Sequence, residues 1–260
     1  MKSFLKVGDK VLKKADKSFD YELVPGVTYT AKVDRFEDEV FLTIGADLSI
    51  PTKIYSTKKD DRFKDRVISR FNKSEKGFTG VMLTGVKGSG KTMTCKCIAT
   101  EAKLPIIKIG DDFYRGYLNK LFEMLGDTST CILFDEIDKY TNILNGNELL
   151  SLLDGINTVG KHLIIFTANE TNCLNENLMN RCSRIRYWKK FNELDKETIT
   201  LIIKDYINDA TKVDDVVNFI IDNFECKSFD NIVSFSEEIN EYPNDDLMEL
   251  FNDMNLYKIK

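Results

Sequence analysis

Histidine is nearly missing from this chain: His162 is the only one in 260 residues. A single histidine argues against a Ser-His-Asp hydrolase, which commits one to base catalysis. The six cysteines, Cys95, Cys97, Cys131, Cys173, Cys182 and Cys226, contain no Cys-x-x-Cys pair. No zinc site with four sulfur or nitrogen ligands at the usual spacing is spelled out. Free reduced thiols, as in a cytosolic protein, are the expectation. No apolar run approaches the roughly 20 residues that a membrane helix needs. The N-terminal stretch MKSFLKVGDK lacks the apolar region of a secretory signal. We expect a cytoplasmic chain with no membrane partner. Repeats and low-complexity tracts are also missing.

What is present is charge, unevenly spread. Net charge is −5. From Asn192 to the end there are 17 acidic and 6 basic residues, a local −11, which leaves +6 for the remainder. The C-terminal part should repel phosphate backbones. The first 17 residues hold six lysines against two aspartates. A solvated face accounts for that run, with a weak anion-binding patch as the alternative. Apolar residues make up 42% of the chain, enough for a packed core.

Three zones follow from pattern. Residues 1–55 read as a small β-domain. Val27-Thr28-Tyr29-Thr30-Ala31-Lys32-Val33 alternates, and Glu39-Val40-Phe41-Leu42-Thr43-Ile44 follows after a polar turn. Residues 56–190 alternate helical patterns with short apolar runs: Gly80–Leu83, Pro105–Ile109, Cys131–Phe134, Leu163–Thr167 and Ile185–Trp188. Runs apolar on both faces suit a parallel sheet covered by helices. Residues 191–260 read as helices, with apolar faces at Leu201/Ile202/Tyr206/Ile207, Val213/Val216/Val217/Ile220/Ile221, Ile232/Val233/Phe235/Ile239 and Leu247/Leu250/Phe251.

The stretch Gly85-Val86-Lys87-Gly88-Ser89-Gly90-Lys91-Thr92 fits GxxxxGK[ST] and lies between a strand and a helix. Glycines let backbone N–H groups curl round a phosphate, and the helix aims its positive end at the anion. Lys91 would reach the β- and γ-phosphates, and the Thr92 hydroxyl would bind Mg²⁺. The expected nucleotide-binding set is Gly85, Val86, Lys87, Gly88, Ser89, Gly90, Lys91, Thr92 and Met93, with Asp135. Asp135 ends the apolar run Cys131-Ile132-Leu133-Phe134, where it would share the metal with Thr92. Glu136 follows and could polarise an attacking water.

Loop and acidic strand end together resemble the AAA+ ATPases, and within them the AAA subgroup. Glu148-Leu149-Leu150-Ser151-Leu152-Leu153-Asp154-Gly155 looks like that subgroup's LLxxLDG helix. Phe166-Thr167-Ala168-Asn169 ends the next strand with Asn169 at the sensor 1 position. Leu178-Met179-Asn180-Arg181-Cys182-Ser183-Arg184 carries two arginines three apart, like the subgroup's paired arginine fingers. Its Arg-Cys-Ser-Arg spelling is also similar to the Ser-Arg-Cys of clamp loaders. The helical tail matches the lid, although Ser228-Phe229-Asp230-Asn231 stands where a sensor 2 arginine would be. The resemblance covers about residues 55–255.

The resemblance implies a P-loop NTPase: an α/β parallel-sheet core with a C-terminal helical lid, joined here to the small N-terminal β-domain. It implies ATP and Mg²⁺ as cofactors and hydrolysis by in-line water attack on the γ-phosphate. Lys91 would stabilise charge, Glu136 act as base and Asn169 position water. Arg181 and Arg184, on one face of a helix end, would act in trans. Arg186 is a third candidate. Trans arginines imply a homo-oligomer, by the resemblance a hexameric ring. Phe113-Tyr114-Arg115-Gly116 aligns with the pore loop of substrate-threading rings, so Phe113 and Tyr114 are candidate grips on a protein partner. Packing of either aromatic at a helix start is the alternative. Abundant Lys, Asn and Ile, with this arrangement, also look like the AAA ATPases of large tailed bacteriophages, which would mean the host cytoplasm. Two other functions stay open: a clamp-loader-like or DNA-replication ATPase, and a nucleotide-gated scaffold of low turnover. The acidic lid weighs against a nucleic-acid partner.

Overall fold

A computed structural model describes residues 4–7, 10–13, 21–45, 53–110, 113, 117–140, 160–169 and 184–256. The chain divides into two compact units. The first takes residues 1–50, 62–84 and 91–190; the second takes 51–61, 85–90 and 191–260.

The first unit is built on a mixed sheet. Its strands are β1 (Phe4–Val7), β2 (Lys10–Lys13), β3 (Thr28–Asp34), β4 (Glu39–Ile44), β5 (Gly77–Gly85), β6 (Ile106–Ile109), β7 (Thr130–Phe134), β8 (Lys161–Ala168) and β9 (Tyr187–Phe191). Their spatial order is β1-β2-β4-β3-β6-β7-β8-β5-β9. From β3 through β6, β7 and β8 to β5 every pairing is parallel. The central strands are apolar on both faces, as burial from both sides requires: every residue of β7 is buried, and all of β8 but its first. Sequence neighbours β5 and β6 are separated by β7 and β8, so strand order reverses beside β5. Ligand crevices in such sheets open at the carboxyl ends of strands at that reversal.

The N-terminal strands do not form a β-domain of their own. β3 pairs with β6 in register from Thr28–Ile106 to Ala31–Ile109, and β4 pairs antiparallel with β3. Tyr29, Ala31, Val40 and Leu42 join the same core as Ile107, Ile132 and Phe166. The reason is edge satisfaction: without β3, β6 would offer a row of unpaired backbone groups. The last sheet strand is also displaced from its expected bounds of Ile185–Trp188. It begins at Tyr187, and the residues before it cross Gly80 instead. Arg186 N donates to Gly80 O at 2.9 Å. A Cβ at Gly80 would lie 1.9 Å from Arg184 O, so only glycine admits that crossing.

Among the described residues this part of the chain has the helices α1 (Lys58–Lys73), α2 (Lys91–Glu101) and α3 (Tyr117–Leu125). Helix α1 has Asp60 and Asp61 in its first turn and Arg70 and Lys73 in its last, matching its dipole at both ends.

The second unit contains α4 (Lys196–Tyr206), α5 (Val213–Asn223), α6 (Phe229–Glu241) and α7 (Leu247–Asp253). The four apolar faces read from sequence correspond to these four helices. One residue departs: Leu201 is 46% exposed, and Ile199, Ile202 and Ile203 fill the interior. Caps fix where three of them start. Asp195 accepts from Thr198 N at 2.8 Å, Ser228 from Asn231 N at 3.2 Å and Asp246 from Met248 N at 2.8 Å. Phe219, Phe224, Phe235 and Phe251 meet at the centre with ring centroids 4.9–6.3 Å apart.

Among the described residues no helix is long and apolar enough to cross a membrane.

Candidate functional site

β5 ends at Gly85, and Gly90 passes straight into α2 at Lys91. The loop between is wound tightly. Ser89 Oγ donates to Val86 O at 2.7 Å. Gly88 has φ +70°, and a Cβ there would lie 2.7 Å from Ser228 Cβ. Gly88 O accepts from Phe229 N at 3.3 Å, at the start of α6. Val86 and Lys87 are exposed and Met93 is half-buried. Helix α2 has no acidic residue in its first turn, so nothing there offsets the positive end of its dipole.

Lys91 is 6% exposed. Its Nζ donates to Asn169 Oδ1 at 3.0 Å. The Asn169 amide in turn donates through Nδ2 to Glu136 Oε1 at 3.1 Å. Asn169 thus joins the loop lysine to the acid after β7, reaching from the end of β8. Its own backbone N donates to Asp138 Oδ1 at 3.2 Å, which fixes the strand end.

Asp135 is held by three side chains. Its Oδ1 accepts from Thr92 Oγ at 3.2 Å and from Thr167 Oγ at 2.8 Å; its Oδ2 accepts from Lys108 Nζ at 3.2 Å. Thr167 also accepts from Glu136 N at 2.7 Å. One buried hydroxyl therefore locks two consecutive acidic residues. Glu136 has φ +51°, the left-handed region that non-glycine residues seldom enter. That turn carries its side chain back toward Asn169.

Five residues singled out from sequence, joined by Thr167, meet here on two strand ends and one helix start. Lys91, Thr92, Asp135, Glu136, Thr167 and Asn169 form one hydrogen-bonded chain. Thr92 Oγ and Asp135 Oδ1 are two converging oxygen donors, the type a hard divalent cation prefers, so they fit Mg²⁺. Sequence reasoning missed Lys108 as a partner of Asp135. Its signal was a lone charged side chain inside Ile106-Ile107-Lys108-Ile109. Thr167 stands in the sequence only as a neighbour of Asn169, and Asp138, which holds the Asn169 backbone, was not among the candidates.

Two expectations do not hold in the form stated. Phe113 is 3% exposed and belongs to the core, edge-on to Tyr117 at 6.4 Å, so it cannot grip a partner. Burial wins because the ring covers the sheet where β6 ends. Arg184 is 4% exposed and engaged within the chain, unlike a side chain offered to a neighbour. Arg186, two residues on, is the exposed one. Tyr114, Arg181 and residues 148–155 lie outside the described residues.

His162 takes no part in the site. It is fully buried, its Nδ1 2.9 Å from Thr130 Oγ and its ring edge-on to Phe122 at 5.3 Å. Burial pushes its pKa down to about 4.

The sequence model of the ATPase family associated with various cellular activities (AAA) matches residues 81–190. A 26S proteasome regulatory subunit 7 homolog of Schizosaccharomyces pombe is 31% identical over 122 residues, 38% of this chain and 28% of that protein. An ATP-dependent zinc metalloprotease FtsH of Rhodothermus marinus is 32% identical over 152 residues, 46% of this chain and 22% of that protein. The FtsH of Photobacterium profundum is 41% identical over 80 residues, 27% of this chain and 12% of that protein. The chain therefore spans less than a third of each of these relatives. They come from a yeast and bacteria and lend no support to a bacteriophage source. Among the described residues no group of three His, Cys, Asp or Glu could hold a metal ion.

Proposed function

We propose, from the AAA ATPase domain carried by residues 81–190, that this chain hydrolyses ATP with Mg²⁺ and uses the cycle to remodel or thread a protein partner. The observation that carries the reading is the continuous chain Lys91–Asn169–Glu136 beside Thr92–Asp135–Thr167. Phosphate charge, metal and attacking water each have a side chain within that chain.

The proposed roles follow from chemistry. Loop amides and Lys91 hold the phosphates, and Lys91 exchanges Asn169 for a phosphate oxygen. Thr92 and Asp135 hold Mg²⁺, which when bound polarises the phosphate oxygens. Glu136 accepts the proton of the attacking water. The Asn169 amide, bonded to that carboxylate, orients the same water and follows the state of the γ-phosphate through Lys91. Thr167 fixes Asp135 and Glu136 relative to each other.

The FtsH name joins ATP to proteolysis and the other relative is named as a proteasome regulatory subunit, and this supports a protein partner over a nucleic acid. The local −11 charge after Asn192 supports the same choice. Assembly as a homo-oligomer, probed as a hexameric ring, rests on Arg181, with Arg186 as second candidate finger. A cytoplasmic setting belongs to the same proposal.

The test is phosphate release by the wild type and Glu136→Gln, with light scattering on the variant with and without Mg·ATP. Turnover that falls at least about a hundredfold in the variant, with nucleotide binding retained, is the expected result. A closed ring with ATP supports trans arginines. Equal turnover in both proteins would remove Glu136 as base; a monomer under all conditions would remove the ring.

A further inference from the structure

We propose that Lys108 is a built-in counter-cation for Asp135 that raises the concentration of divalent metal the site requires. This rests on the ATPase reading above, and it assigns a role to a residue that the reaction itself does not call for.

The placement comes from the sheet. Lys108 on β6 pairs with Leu133 on β7. Side chains two residues apart on a strand point to one face, so Lys108 lies on the face that Leu133 and then Asp135 continue. It trails Asp135 by two residues, about 6.6 Å along a strand, a span that a four-carbon stem covers. The rest of β6 is buried and apolar. A lysine at this position gives up half its solvent to reach one carboxylate: its side chain is 44% exposed and that of Asp135 17%.

The partners of Asp135 divide by oxygen. Oδ1 takes the two neutral hydroxyls of Thr92 and Thr167, and Oδ2 takes the Lys108 ammonium. The carboxylate is thus charge-compensated before any metal arrives. A divalent cation entering beside Asp135 meets a positive charge 3.2 Å from Oδ2 and must share the carboxylate or displace the ammonium. When the metal leaves, the ammonium takes over and no bare carboxylate is left in a half-buried site. Lys108 therefore weakens metal binding and eases metal release. It is a positioning residue, acting on the reaction only through Asp135.

The full chain with a non-hydrolysable ATP analogue is titrated with Mn²⁺ and followed by electron paramagnetic resonance. Lys108→Met should bind Mn²⁺ about tenfold more tightly, the weight of one charge-assisted bond reduced for partial exposure. Lys108→Gln, which keeps a polar tip without charge, should do the same if the methionine variant folds poorly. Lys108→Arg should stay within about threefold of the wild type, because it keeps the cation. A purely structural lysine would give the opposite sign, with a disordered Asp135 and weaker Mn²⁺ binding in both neutral variants. Unchanged or weaker binding in folded Met and Gln variants overturns the inference. Absence of analogue and Mn²⁺ binding in the wild type overturns the ATPase reading itself.

Discussion

Replacing Thr167 with valine changes the site with almost no change in volume. The hydroxyl donates to Asp135 Oδ1 at 2.8 Å and accepts from Glu136 N at 2.7 Å, and the residue is fully buried. Valine removes both bonds. A bond to an ionised group is worth about 1.5–3 kcal/mol, and an N–H left unpaired away from water costs about 1–3 kcal/mol. Asp135 keeps Thr92 and Lys108, which puts its share at the low end. The sum is roughly 3 kcal/mol, divided between stability and turnover. Glu136 decides the division. Its φ of +51° is held against a strain of order 1 kcal/mol, and the Thr167 bond is what holds it. Released, the backbone relaxes and the carboxylate moves off Asn169. A shift of about 1 Å in a positioning group can cost about a hundredfold in rate. We expect kcat to fall about 30- to 100-fold. Nucleotide affinity should stay within about threefold, because the Thr167 hydroxyl bonds to Asp135 and Glu136 while Lys91 bonds to Asn169. Thr167→Ser keeps the hydroxyl and should recover most of the activity. The assay is phosphate release under saturating Mg·ATP, with thermal unfolding in parallel. A valine variant that turns over within about threefold of the wild type would refute the reasoning.

Other perturbations follow from the same structure. Burial holds His162 near pKa 4 in the folded chain against about 6.5 when unfolded, so the unfolded state takes the proton first. Stability is complete above about pH 6.5 and is lost as pH falls toward 4, by roughly 1.4 kcal/mol at pH 5.5. As the only histidine, it can be isolated: denaturant unfolding of His162→Gln should lack this slope between pH 7.5 and 5.5, and parallel slopes would refute it. Gly80→Ala forces a Cβ to 1.9 Å from Arg184 O and should cost about 2–3 kcal/mol. The corresponding fall in melting temperature is about 5–10 °C, and an unchanged value would deny the close approach.

The site was legible because its residues carry rigid requirements. Gly88 and Lys91-Thr92 belong to a spacing that few other needs produce, and Asp135-Glu136 interrupts an apolar run where a strand must end. The four helices of the second unit were legible through spacing alone, since each has one apolar face and three of them start at a side-chain cap. What sequence hid was pairing at a distance. Nothing in the alternation of β3 says that its partner is β6 rather than a sheet of its own. Lys108 looked like an ordinary lysine because its partner is 27 residues away. Arg184 and Phe113 were read from a resemblance; burial speaks against the finger role of Arg184 and favours the packing alternative for Phe113. An arginine backbone that must cross Gly80 goes inside with its side chain, and an aromatic at a sheet end covers apolar surface before it serves anything else.

The strand order also bears on how the chain is made. β5, which leads into the glycine loop, finds its neighbour β8 only from Lys161 onward, and its other neighbour, β9, comes later still. On a ribosome adding about 5–20 residues each second, the roughly 80 residues between them take about 4–16 seconds. Throughout that interval Val81, Met82 and Leu83, all destined for full burial, have neither flank covered by its native strand. The nascent chain therefore carries an aggregation hazard in the segment beside its nucleotide loop, and yield in cells should respond to translation speed and to holding chaperones as well as to the stability of the finished fold.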